Sequence, residues 1–121
     1  MRAFFRSFFY AFQGIAHVLR TQRNALVEIA LALLAIVAAI FFRVSAVEWA
    51  VLALAIGMVF SAEMINTVAE LAVDVLVSRH DRRAKTAKDV GAGAVLVSAM
   101  AAVAVGIAVF GPRIQELLFG R

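Results

Sequence analysis

VGAGAVLVSAMAAVAVGIAVFGP, residues Val90 to Pro112, runs for 23 residues without a charge. A hydrocarbon core of roughly 30 Å takes about 20 residues of helix to cross. This stretch meets that length outright, so it predicts a membrane span before anything else in the chain is read.

Two further apolar stretches lie upstream. Ala25 to Phe42 is interrupted only by Glu28. A second begins near Trp49, stays uncharged to Ala62 and keeps helical character to about Val77. The first spans a bilayer if Glu28 lies near its end. The second does so only if Glu63, Asn66 and Glu70 enter the membrane with it. Backbone groups in lipid must be satisfied within the segment, so these stretches predict helices. Barrel strands would alternate over about ten residues, and no such pattern occurs. The connections are short, Arg43 to Glu48 and Ser78 to Asp89, and Gly111-Pro112 reads as the stop of the last helix. The expected fold is an all-α integral membrane protein. One domain covers 1–121, with hydrophobic helices over 25–42, 49–77 and 90–112.

Composition agrees. Of 121 residues, 64% are hydrophobic and 17% charged, where soluble domains run about 45–50% apolar and about 25% charged. A mean hydropathy of +0.96 points the same way. The net charge is +4, and in so apolar a chain the cations suit anionic lipids better than nucleic acid. There is no cysteine, which excludes disulfide scaffolds, thiolate metal sites and cysteine nucleophiles.

The basic residues set an orientation. Arg2, Arg6, Arg20 and Arg23 precede the first span, and Arg79, Arg82, Arg83, Lys85 and Lys88 follow the second. Arg43, Arg113 and Arg121 fall on the other side. The excess of cations on the inner side places the N-terminus and the 78–89 loop in the cytoplasm and the C-terminus outside. Residues 1–22 have a different pattern. Phe4, Phe8, Phe12, Ile15 and Leu19 recur at helical spacing against Arg6, Gln13, His17 and Arg20, as expected of a helix lying in the cytoplasmic interface. A cleaved signal peptide is the other reading, opposed by Gln13, Gly14 and His17 within the apolar region and by basic residues that continue to Arg23.

The chemistry concentrates on the second span. Glu63, Asn66, Glu70 and Asp74 are spaced by three, four and four, which aligns them on one helix face about a turn apart. Three acids at the bilayer centre would cost up to about 10 kcal/mol on an insertion scale, less near the interface. Such a face belongs against other helices or a wet cavity. A polar helix–helix seam is one use of it. Lys88 and Asp89, at the entry of the third span, favour another. Acids, an amide and a lysine at one interface suit Mg²⁺ and phosphate, with hard oxygens for the metal and an ammonium for the phosphate charge. No phosphate-loop or protein-kinase glycine motif is present. Gly91-Ala92-Gly93 reads as a close-packing site, and His17 and His80 are isolated.

Glu63-Met64-Ile65-Asn66-Thr67-Val68-Ala69-Glu70, Val73-Asp74, Ala84-Lys85-Thr86-Ala87-Lys88-Asp89 and Gly91-Ala92-Gly93-Ala94-Val95 together resemble the signature of the prokaryotic diacylglycerol kinase family. Phe12-Gln13-Gly14-Ile15, Thr21-Gln22-Arg23-Asn24 and Gly111-Pro112 extend the resemblance over nearly the whole chain. Its details look closer to the undecaprenol kinase branch. The resemblance implies a small multi-pass kinase of the bacterial inner (plasma) membrane, with an interfacial N-terminal helix, three spans and a homotrimer. It would use ATP and Mg²⁺ to phosphorylate a membrane lipid alcohol, undecaprenol or diacylglycerol. Carried over by position, Glu63 would be the general base, Asn66 would orient it, and Glu70 would bind Mg²⁺. Lys88 and Asp89 would contact the nucleotide, with Tyr10, Arg79, His80 and Asp81 at further nucleotide-contacting positions. The family's second metal-binding glutamate is replaced here by Gln22, and Glu28 is a possible substitute.

Two other functions fit a short bundle with buried acids. A small multidrug-type transporter would use Glu63 to exchange protons for cations, and would need neither Lys88 nor Asp89. A non-catalytic membrane subunit would use the acids as helix glue. In every case three spans only partly hide one polar face, which predicts association with further copies.

Overall fold

The computed structural model describes residues 1–77 and 81–120, four helices in sequence. Ser78, Arg79, His80 and Arg121 lie outside the described residues. Helix α1 covers Arg2–Thr21, α2 Arg23–Phe41, α3 Ala46–Leu76 and α4 Arg82–Phe119. The last three are long and apolar enough to cross a membrane, so this is an all-helical membrane protein.

Gln22 alone separates α1 from α2. Its backbone is extended (φ −102°, ψ 113°), and its N–H still donates to the Val18 carbonyl at 2.8 Å. One residue out of helical conformation is enough to redirect the chain. Upstream of it α1 is strongly amphipathic and exposes Phe4, Phe8 and Phe12.

The α2–α3 connection is built from two capping devices. At the end of α2, Val44 N–H donates to Ala39 O and Arg43 N–H to Ile40 O, each at 3.2 Å. This is a Schellman closure, with Arg43 at φ 49° in the left-handed position. Its accompanying apolar contact joins Val44 and Ala39, both buried. Ser45 then opens α3 with a capping box. Its hydroxyl accepts from Glu48 N at 3.3 Å, and its own N–H donates to Glu48 Oε2 at 2.7 Å.

Helix α4 differs from the expected 90–112 segment at both ends. It begins at Arg82, capped by Asp81, whose Oδ1 accepts from Arg83 N at 2.8 Å. Most of the expected 78–89 loop is therefore helix. At the other end Pro112 does not stop the helix, which continues to Phe119 and closes on Gly120 at φ 67°. Proline removes one i→i−4 bond, and in a membrane helix neighbouring groups can satisfy the freed backbone. The acceptor freed by Pro112 is the Ala108 carbonyl, and the next residue, Arg113, ties this part of α4 to α3. Its Nη1 donates to Val109 O at 2.5 Å and to Glu48 Oε1 at 2.8 Å, and its Nη2 to Glu48 Oε2 at 2.9 Å. One carboxylate thus caps α3 and holds the end of α4.

Helix α4 packs mainly along α3, while α2 and α1 lie more lightly against them. The packed seam has two chemical ends. At the α2–α3 turn, Ala39, Val44, Leu52 and Val109 form an apolar cluster with Phe42, Trp49, Val105 and Phe110 around it. Toward the other end, the buried side chains of α3 become Glu63, Asn66 and Thr67.

Candidate active site

Glu63 is the most completely enclosed large side chain among the described residues, at 1% exposure. Asn66 and Thr67 are buried beside it on α3. Thr67 Oγ1 donates to the Glu63 carbonyl at 2.9 Å, so the hydroxyl is satisfied locally and leaves the Glu63 carboxyl untouched. Asn66 Nδ2 donates outward to Glu70 Oε1 at 3.2 Å. The amide therefore bonds to the acid one turn on, whereas the resemblance assigned it to orienting Glu63.

Among the described residues, three buried oxygens have no partner: Glu63 Oε2, Asn66 Oδ1 and Glu28 Oε2. Buried polar atoms are nearly always paired, so three unpaired acceptors together mark a place built for something else. Glu28, on α2, lies within electrostatic reach of Glu63, and Glu63 within reach of Glu70. The acids thus form a string from the α2–α3 seam outward along α3. Every unpaired atom in it is an oxygen acceptor. The complementary ligand is a hydroxyl, a proton donor or a hard cation.

Helix α4 closes the site by a close approach. A Cβ added at Gly91 would collide with the Asn66 amide oxygen. Only glycine leaves room for this amide against the α4 backbone. The expected close-packing at Gly91-Ala92-Gly93 therefore resides in Gly91, since Gly93 faces open space.

At the exposed end, Lys88 reaches across from α4 to Asp74 on α3 at 2.5 Å. Its neighbour Asp89 turns to Lys85 on its own helix at 2.6 Å. Adjacent helical residues point about 100° apart, so these two do not form one contact. Asp81 caps α4. Tyr10 is exposed on α1, where its hydroxyl accepts from Arg6 Nη2 at 3.3 Å. Gln22 is half-buried at the α1–α2 break. Arg79 and His80 lie outside the described residues.

Among the described residues, no three acids or histidines converge into a ready metal cage. That is compatible with Mg²⁺, which is usually held by one or two carboxylates together with substrate phosphates. Glu70 offers hard oxygen donors of the kind such an ion takes.

The profile of the prokaryotic diacylglycerol kinase family matches residues 9–110. The chain belongs to the prokaryotic diacylglycerol kinase family. Similarity extends to an undecaprenol kinase of Bacillus subtilis (strain 168), 37% identical over 114 residues, which are 94% of this chain and 93% of the relative. A diacylglycerol kinase of Synechocystis sp. is 39% identical over 113 residues, 93% of this chain but 65% of the longer relative. Membership makes the chain a lipid kinase of the membrane.

Sequence reasoning found the acids and missed what holds them. The Lys88–Asp74 pair spans 14 positions, and nothing in the pattern of either helix singles it out. The Glu48–Arg113 pair spans 65 positions, although Ser45-x-x-Glu48 is a capping-box signature that could have been read.

Proposed function

We propose that this chain transfers the γ-phosphate of ATP to the hydroxyl of a membrane lipid alcohol, with Glu63 as general base. The observation that carries the reading is Glu63 itself, a carboxylic acid enclosed in an apolar bundle with one oxygen unpaired. Phosphoryl transfer needs in-line positioning, neutralised phosphate charge and an acceptor for the hydroxyl proton. Glu63 Oε2 would accept that proton as the alcohol oxygen attacks. Glu70, one turn nearer the helix end and bonded to Asn66, would hold Mg²⁺ with Glu28 as a second acid. The metal, when bound, would neutralise charge on the transferred phosphate.

Lys88 serves the phosphates, exchanging its carboxylate partner Asp74 for the nucleotide. Asp89, with Tyr10, Asp81, Arg79 and His80, belongs to the nucleotide side by family position. The alcohol arrives from the bilayer side and ATP from water, which fits an order running from Glu63 within the bundle to Lys88 at the exposed end. The basic N-terminal region and the start of α4 then face the cytoplasm of a bacterial inner membrane. Helix α1 lies in that interface, with its phenylalanines in the lipid and its arginines among anionic headgroups. The working unit is a homo-oligomer, a trimer by family. The apolar length of α4, left open by its own chain, supports this.

The test is transfer of label from γ-labelled ATP by the purified protein in lipid bilayers, offered undecaprenol or diacylglycerol. Labelled lipid phosphate is the expected product. Absence of label in both alcohols contradicts the proposal.

A further inference from the structure

At the end of the bundle marked by Glu48 and Arg113, opposite Lys88, an open crevice of about 430 Å³ lies between the close of α2 and the last turns of α4. Phe41 and Phe42 line it from α2, and Arg113, Glu116 and Leu117 from α4. Its volume falls in the range of small-ligand sites, about 300–1,000 Å³. Its lining is mixed, with one cation and one anion among apolar side chains.

Arg113 is matched in charge but not in hydrogen bonds. A guanidinium carries five N–H groups. Arg113 spends three of them, two on the Glu48 carboxylate and one on the Val109 carbonyl, so two remain for an acceptor. Glu116 is one turn on and within electrostatic reach of Arg113. Its side chain is exposed, and none of the ion pairs among the described residues includes it. The crevice therefore offers spare donors at one point and a carboxylate at another.

Their depth in the membrane narrows the ligand. The 23 charge-free residues that end at Pro112 run for about 34 Å of helix, enough to cross a hydrocarbon core of roughly 30 Å. Arg113 then stands at the start of the headgroup layer, and Glu116 about 4.5 Å farther out along α4. Phe41 and Phe42, at the close of α2, border the hydrocarbon. Passing outward, the crevice meets a tail, then an acceptor, then a cation. A phospholipid with an ammonium beyond its phosphate has that order. Glu48 already balances the charge of Arg113, so an anionic headgroup would be left facing Glu116. A trimethylated ammonium has no N–H to donate to a carboxylate, whereas a primary one has three.

We propose that the crevice between the ends of α2 and α4 holds a zwitterionic phospholipid with a primary ammonium headgroup, its phosphate on Arg113 and its ammonium on Glu116. The site is remote from Glu63 and independent of phosphate transfer. Native mass spectrometry of the full chain tests it, with protein purified in detergent and supplied with equimolar phosphatidylethanolamine, phosphatidylcholine and phosphatidylglycerol of identical tails. Retention of phosphatidylethanolamine should exceed that of either other lipid about tenfold, as one charged hydrogen bond allows. Glu116→Gln keeps the size of the side chain and removes its charge, and should bring the three lipids to within about twofold of one another. Gln115→Ala, on the adjoining face of the same turn, should leave the preference intact. Equal retention of the three lipids by the unsubstituted chain overturns the proposal. So does a preference that survives Glu116→Gln, or one that Gln115→Ala abolishes to the same extent.

Discussion

Gly91 shows how a residue without a side chain can govern one that has chemistry. Asn66 places its amide oxygen where a methyl group on Gly91 would stand, while its nitrogen bonds to Glu70. Gly91→Ala must displace that amide, and with it the Glu70 carboxyl. We expect phosphate transfer to fall at least tenfold, about 1.4 kcal/mol of transition-state stabilisation. In an Asn66→Ala background the added methyl has room, so Gly91→Ala should cost little further. A double-mutant cycle on kcat measures this, and additive losses would show that Gly91 acts elsewhere. Glu63, Asn66 and Glu70 were legible in the sequence because polar and acidic residues at helical spacing are costly inside a membrane and must face other helices or a wet cavity. The Gly91 contact was half legible. Small residues announce a close approach, but which of Gly91 and Gly93 makes it depends on the rotation of α4 against α3, a tertiary fact. The same limit applies to Lys88, whose partner Asp74 is fixed by the register of two long helices.

Helix ends were the least legible elements, and they are where the local devices lie. Gly111-Pro112 has the sequence of a stop, yet α4 passes through it, and Arg113 beside the proline bonds both Val109 O and the Glu48 carboxylate. Without that clamp the proline should have its usual effect. Glu48→Gln or Arg113→Ala is expected to make residues 113–119 more open to protease and to amide exchange, with phosphate transfer retained because the site lies at the other end of the bundle. Protection of 113–119 unchanged in both variants would assign the continuity of α4 to its own propensity. At the end of α2, Arg43 holds a left-handed conformation at φ 49° that costs an L-residue about 1–2 kcal/mol and glycine almost nothing. Arg43→Gly should therefore stabilise the turn by about 1 kcal/mol, after allowing for glycine's greater freedom in the unfolded chain. Thermal unfolding in detergent checks the sign, and a lower midpoint would mean that the arginine side chain contributes more than its backbone costs.

At the scale of the whole molecule, the three spans and their apolar lengths followed from composition and run length alone, since lipid allows little but helices. The packing did not. That α4 would lie chiefly on α3 is written in no single helix. The resulting bundle has a polarity along its axis. An apolar cluster closed by Glu48 and Arg113 stands at one end, and unpaired acids lead toward Lys88 at the other. A lipid alcohol and a nucleotide can meet there because one comes from hydrocarbon and the other from water. The claim on which this arrangement turns is that the enclosed Glu63 takes the hydroxyl proton. The direct measurement is the rate of label transfer from ATP to lipid alcohol by Glu63→Gln, in protein whose helical content and oligomeric size match the unsubstituted chain. A fall of about 10²–10⁴-fold in kcat is predicted for loss of a general base. Undiminished transfer by a correctly assembled Glu63→Gln protein would contradict it.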